Sequence, residues 1–143
     1  MIETVTTTSP GETINLGKSF APRLHPGDVV ALLGDLGTGK TRFVMGVCEA
    51  LGARGHVASP TFTLINEYPA PFGAVVHIDM YRIGSRGELR ELGIEEYFDD
   101  RHICLIEWAE SVLDLLPPDH YQVEIAHGTS EEERTVRISR SGQ

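Results

Sequence analysis

Val29-Val30-Ala31-Leu32-Leu33-Gly34-Asp35-Leu36-Gly37-Thr38-Gly39-Lys40-Thr41 joins an unbroken apolar run to a full match of the phosphate-binding loop G-x-x-x-x-G-K-S/T. The apolar run reads as a parallel strand buried on both faces. Beyond the loop, Phe43, Val44, Val47, Cys48 and Leu51 recur at helical spacing, and Gly52 supplies a stop. The local order is strand, glycine loop, helix, the setting in which such a loop holds phosphate.

A triphosphate carries several negative charges, and a loop binds it only where backbone N–H groups converge free of side chains. Gly34, Gly37 and Gly39 permit that path, and Asp35, Leu36 and Thr38 complete the loop. The following helix points its positive end at the phosphates, and Lys40 adds a mobile charge for the β- and γ-phosphate oxygens. Thr41, on the first helical turn, presents a hard oxygen to Mg²⁺, which usually takes only one or two protein oxygens besides phosphates and water.

The chain has 143 residues, 41% of them hydrophobic, and is expected to form one compact domain over 1–143. A formal net charge of -9 argues against a broad nucleic-acid-binding surface, which wants clustered Lys and Arg. Any part in nucleic-acid metabolism is therefore expected to be indirect. No apolar run approaches the ~20 residues that span a bilayer. Met1 to Ser9 lacks a basic region followed by an apolar core, so a cytoplasmic protein without membrane contact is expected. Cys48 and Cys104 lie far apart in predicted buried elements and read as reduced core thiols.

Ahead of the loop, Ile2 to Thr8 is rich in β-branched residues and predicts a strand at a sheet edge. Ser9, Pro10 and Glu12 then read as helix cap, first helical position and capping-box partner. Leu16, Gly17, Phe20, Ala21 and Leu24 supply a helical face that ends before the turn Pro26-Gly27. An element leading into the phosphate-loop strand is a candidate neighbour of the nucleotide base.

After the phosphate-loop helix, Gly52 to Ala58, with His56, reads as a loop. The hydroxyl-rich Ser59-Pro60-Thr61-Phe62-Thr63 admits two readings, a segment meeting the γ-phosphate or its Mg²⁺, and an ordinary capped turn. Leu64 to Tyr68 predicts a strand and Pro69 to Gly73 a turn. Two apolar runs, Ala74 to Ile78 and Ile103 to Ile106, each finish in a carboxylate, Asp79 and Glu107. Ligands collect at the carboxyl ends of strands in an open parallel sheet, so both acids can reach one site. One then holds Mg²⁺ while the other orients or deprotonates the attacking water.

His77 shares a strand face with Asp79 and reads as a packed, neutral side chain whose hydrogen bond orients its neighbours. Arg82 faces either phosphate or an ion-pair partner. Gly84 to Gly87 reads as a turn, Glu88 to Leu92 as a short helix stopped by Gly93, and Ile94 to Phe98 as another. Trp108, the single tryptophan, follows Glu107; core packing is the plainer reading, packing beside the site or anchoring a partner the sharper. Ala109 to Leu116 predicts a helix ended by Pro117-Pro118. Tyr121 to Ala126 and Arg134 to Ser139 alternate as two hairpin strands joined by the acidic Thr129 to Glu133.

Four runs, the loop from Gly34 to Thr41, Ser59-Pro60-Thr61-Phe62-Thr63-Leu64, His77-Ile78-Asp79-Met80-Tyr81-Arg82 and Leu105-Ile106-Glu107-Trp108, together resemble the bacterial TsaE family in order and spacing. The likeness covers nearly the whole chain. It implies an α/β fold, a single P-loop NTPase domain of three layers with a central, mostly parallel sheet and antiparallel edge strands. It implies an ATP- and Mg²⁺-dependent ATPase of tRNA threonylcarbamoyladenosine synthesis. In that family the protein works with the TsaB–TsaD pair and meets tRNA only indirectly. By the same resemblance Lys40 contacts phosphates, Thr41 and Glu107 coordinate Mg²⁺, Asp79 is needed for hydrolysis, and Arg134 is a nucleotide contact. Low turnover of the chain alone is expected, since no arginine finger is evident.

Two other functions compete. A small-molecule kinase on the same loop usually needs a substrate-binding segment and a lid with phosphate-facing arginines, and the segment after Thr41 is short and arginine-poor. A nucleotide-gated interaction module would bind ATP with hydrolysis incidental.

Overall fold

The structure is a computed structural model and describes residues 2–35, 37–55, 57, 65–81 and 91–141. Its strands are β1 (Glu3–Thr7), β2 (Val29–Leu33), β3 (Ile65–Ala70), β4 (Gly73–Asp79), β5 (His102–Glu107), β6 (Tyr121–His127) and β7 (Arg134–Arg140). The α-helices with both ends described are α1 (Pro10–Phe20) and α2 (Lys40–Ala50). One sheet takes the order β1-β7-β6-β2-β5-β4-β3. Its four central strands β6, β2, β5 and β4 run parallel, whereas β1, β7 and β3 each pair antiparallel with their neighbours. The expected α/β architecture, parallel at the centre and antiparallel towards the edges, is the one observed.

Every residue of β2 is buried, as its lack of alternation predicts. Val30 and Leu32 face a core shared with Phe20, Phe43, Val44 and Val47 of the two α-helices. Val29, Ala31 and Leu33 face a second core built with Ile94, Ala109, Val112 and Leu116. One face of the sheet is thus covered by α1 and α2. Among the described residues, the other is covered by 3₁₀ turns at Ile94–Tyr97, Ala109–Ser111 and Leu113–Leu115. Cys48 and Cys104 are buried free thiols, and burial pushes each up to about 12.

Ser9 caps α1 as expected, its Oγ accepting from the Glu12 N–H at 3.1 Å. Glu12 reaches one residue further back than a capping box requires and accepts from the Thr8 N–H and hydroxyl, at 2.9 and 3.0 Å. The helical face predicted through Leu24 stops at Phe20, and Ala21–Arg23 tightens into a 3₁₀ turn. Pro22 has no N–H to extend the α-helical ladder. Leu24 is nevertheless buried in the same core.

Two further boundaries differ from the sequence reading. Pro69 and Ala70 belong to β3 rather than to the following turn. As the outermost strand, β3 tolerates a proline, and the Pro69 carbonyl accepts from the Arg54 N–H at 2.8 Å. Ala109 to Leu116 forms two 3₁₀ turns in place of one helix. Val112, at φ -126 and ψ 10, breaks the helical path, and Leu116 is extended ahead of Pro117. Glu91 and Leu92 are helical and Gly93 follows at φ 63, consistent with the predicted glycine stop. Leu36, His56, the Ser59 to Leu64 segment, Arg82, the Gly84 to Gly87 turn, and Glu88 and Leu89 lie outside the described residues.

The two helices meet through glycines. A Cβ at Gly17 would collide with the Phe43 carbonyl oxygen, and one at Gly46 with the Ile14 carbonyl oxygen. Backbone rather than a flexible side chain stands in the way, so neither contact relaxes cheaply. Gly46→Ala should destabilise the fold by about 1–3 kcal/mol despite alanine's better helix propensity. An unchanged urea midpoint would show that the helices part freely.

Candidate active site

The register of the parallel strands places the chemistry. β2 pairs with β5, so Leu32 lies opposite Glu107, and β5 pairs with β4, so Glu107 lies opposite Asp79. Both acids therefore stand at the carboxyl ends of adjacent strands, next to the loop that leaves β2. Period-2 alternation turns His77, Asp79 and Glu107 towards the α2 face, the side of Val75 and Leu105. The two acids that the sequence placed at strand ends stand side by side, and Glu107 is the one of the two that lines the cavity.

The loop takes the backbone path its glycines permit. Gly34, Gly37 and Gly39 have φ of 137, 75 and 104, all in the left-handed half that other residues rarely adopt. Gly39 caps α2 from that conformation, and Lys40 opens the helix. The Thr38 hydroxyl donates to the Asp35 carbonyl at 2.9 Å, which closes the loop on itself. Lys40 Nζ donates to the Gly34 and Asp35 carbonyls at 2.6 and 2.9 Å and lies 3.9 Å from the Trp108 ring centroid. Burial pushes the Lys40 ammonium below its ordinary value, and the carboxylates of Glu107, Glu110, Asp35 and Asp79 act against that fall.

Thr41 and Glu107 meet directly, the hydroxyl lying 3.0 Å from each carboxylate oxygen. Glu107 is 3% exposed and also receives His77 Nε2 at 2.5 Å. His77 thus makes the orienting hydrogen bond expected of it. Asp79 is 8% exposed, and its Oδ1 accepts from the Tyr81 N–H at 2.9 Å. This bond turns the chain as β4 ends.

Trp108 is half-buried, packed against the second core and also bordering the site, so the core-packing and site-side readings both hold. At φ 58 it is the one non-glycine residue in the left-handed region among those described. That conformation costs roughly 1–2 kcal/mol and swings the indole over Lys40 and against Tyr81, with ring centroids 4.7 Å apart. Glu110, two residues on, accepts from the Gly34 N–H at 3.0 Å and ties this turn to the start of the phosphate loop.

A cavity of about 420 Å³ opens beside these groups, lined by the loop from Gly37 to Arg42 and by Glu107 and Trp108. Ser9, Pro10 and Thr13 of the α1 start form another wall, with Glu132 and Arg134 of the hairpin. Arg134 also clamps the loop, its guanidinium donating to the Thr38 and Gly37 carbonyls at 3.1 and 3.2 Å. The same group holds the Glu131 and Glu133 carbonyls at 2.7 and 2.9 Å, so the acidic turn is pinned to the loop.

Sequence reasoning missed the cavity-lining roles of Ser9, Thr13, Arg42 and Glu132, and the strut from Glu110. Ser9 carried a signal, a cap on the element ahead of the loop strand, but capping alone accounts for it. Glu110 was hidden within a predicted helix. Nothing in the spacing of Arg42 or Glu132 marks them.

The strand, phosphate loop and helix, flanked by acids on two adjoining parallel strands, define a P-loop NTPase fold. Residues 7–136 match the family model described as Threonylcarbamoyl adenosine biosynthesis protein TsaE. The chain is 40% identical over 136 residues to the tRNA threonylcarbamoyladenosine biosynthesis protein TsaE of Bacillus subtilis, covering 95% of this chain and 84% of that one. It is also 40% identical over 123 residues to the TsaE of Haemophilus influenzae, covering 81% of this chain and 78% of that one. The fold superposes on the crystal structure of Bacillus subtilis YdiB with a TM-score of 0.81 and 35% identity, over 99% of this chain and 88% of that one. The chain belongs to the TsaE family.

Because Arg134 bridges the hairpin to two loop carbonyls, Arg134→Ala should cost on the order of 1 kcal/mol. It should also speed amide exchange at residues 37–39. Arg134→Lys should recover little, since one ammonium cannot reproduce the fork. Unaltered exchange at those amides in Arg134→Ala would refute the clamp.

Proposed function

We propose that this chain is the ATP-hydrolysing component of tRNA threonylcarbamoyladenosine synthesis, a single domain over 1–143 working with a TsaB–TsaD pair. The observation that carries the reading is that Lys40, Thr41 and Glu107 line one cavity, while the register of β4 and β5 sets Asp79 beside Glu107. The part in threonylcarbamoyladenosine synthesis and the TsaB–TsaD partnership rest on family membership.

The donor set suits Mg²⁺. Thr41 and Glu107 offer a hydroxyl and a carboxylate, both hard oxygens, already within 3.0 Å of each other. Mg²⁺ bound there would neutralise charge on the phosphates. Lys40 exchanges its loop carbonyls and the Trp108 face for phosphate oxygens, a short movement from its present place. The loop N–H groups and the α2 N-terminus complete the anion site. Asp79, beside Glu107 in register, orients and deprotonates the attacking water. Arg134 acts on the nucleotide from the hairpin side of the cavity while it holds the loop carbonyls.

A net charge of -9 makes the chain a poor direct binder of tRNA, so its ATP hydrolysis acts on a protein partner that holds the RNA. Cytoplasmic work on tRNA fits this reading. No helix among the described residues is long and apolar enough to cross a membrane.

Mg²⁺-dependent phosphate release should be slow for the chain alone and rise with TsaB–TsaD. Lys40→Ala should remove the activity, and Asp79→Ala should lower it about 100-fold or more with ATP still bound. Phosphate appearing on a small hydroxyl acceptor, with no response to TsaB–TsaD, would replace this reading with a kinase. Full modification activity with Asp79→Ala would leave a nucleotide-gated module instead.

A further inference from the structure

We propose that His77 is the positioning residue for Glu107, fixing the carboxylate against Thr41 and so setting how tightly the site takes up a divalent cation. The inference rests on the reading of Thr41 and Glu107 as the cation's oxygen donors.

His77 lies within β4, fully buried at 0% exposure, two residues before Asp79. Its Nε2 is 2.5 Å from Glu107 Oε2, and its Nδ1 is 3.3 Å from the Tyr68 hydroxyl. Asn66 Nδ2 donates to that same hydroxyl oxygen at 3.4 Å. The direction of the chain follows from Glu107: a carboxylate only accepts, so the imidazole proton sits on Nε2 and is donated to it. Nδ1 of the neutral ring is then the acceptor for the Tyr68 hydroxyl, which steadies the ring from the edge strand β3.

A carboxylate at 3% exposure needs donors, and the short bond from His77 is of the strong, charge-assisted kind. It holds Oε2 from the β4 side while the Thr41 hydroxyl approaches from α2. The carboxylate is thus held by two elements at once. Groups that orient a metal's ligands in this way typically change metal affinity by about 10–100-fold when removed. A histidine present only to fill the core would instead affect stability and leave cation uptake unmoved.

Mn²⁺ serves as the probe, its affinity for the protein bound to a non-hydrolysable ATP analogue read by electron paramagnetic resonance. His77→Leu keeps apolar bulk and removes the proton. It should weaken Mn²⁺ binding about tenfold or more, with affinity for the analogue in EDTA unchanged. His77→Gln, whose amide N–H can reach Glu107, should restore much of the loss. Tyr68→Phe should shift Mn²⁺ affinity in the same direction by less. Wild-type Mn²⁺ affinity in folded His77→Leu overturns the proposal. Should that variant not fold, wild-type affinity in Tyr68→Phe overturns it equally. Wild-type protein that adds nothing to the analogue's own Mn²⁺ affinity, and is indifferent to Thr41→Val, refutes the underlying reading of the cation site.

Discussion

A buried carboxylate is expensive unless donors surround it, and Glu107 places that demand at the centre of this fold. It ends β5, the strand between β2 and β4, so every element that can satisfy it must converge there. Thr41 arrives because the phosphate loop delivers α2 over the strand ends, and His77 because β4 pairs with β5 in parallel register. Slipping β4 by one residue would turn His77 and Asp79 to the opposite face, among Ile94 and Val112, and strand the carboxylate. The electrostatic need of one side chain and the sheet's hydrophobic register therefore enforce each other.

The phosphate loop is held by backbone accounting of the same kind. Its carbonyls at Gly34, Asp35, Gly37 and Thr38 point at cations and hydroxyls supplied by Lys40, Thr38 and Arg134. With these carbonyls engaged by the protein's own donors, less negative charge is left to repel an anion at the loop. Arg134 is 96 residues from Thr38 in sequence and close only because β7 lies beside β6, the strand next to β2.

Strain is placed next to this machinery. Trp108 occupies left-handed backbone without glycine's freedom, and the segment after it is two short 3₁₀ turns rather than a helix. The Glu110 bond to the Gly34 N–H and the Trp108 contacts with Lys40 and Tyr81 offset that cost. The turn that crowns β5 is thus in contact with Lys40 through the Trp108 ring. A change at the phosphate side and a change at the Trp108–Tyr81 surface are two ends of one set of contacts.

Local chemistry was enough to read the glycine path and the start of α2, because phosphate binding demands a contiguous motif. The buried β2, the two strand-end acids and the terminal hairpin were legible too, since hydrophobic alternation is set by which face is buried. So was the Ser9 cap, whose partners lie within a few residues. Tertiary structure alone decided what faces what. Nothing in the spacing joins Arg134 to Gly37 or Glu110 to Gly34, because each pair meets across strands whose order is a property of the whole sheet. The 3₁₀ turns after Trp108 were likewise beyond a propensity argument. In a segment of eight residues, packing on the sheet outweighs the small intrinsic preference for helix.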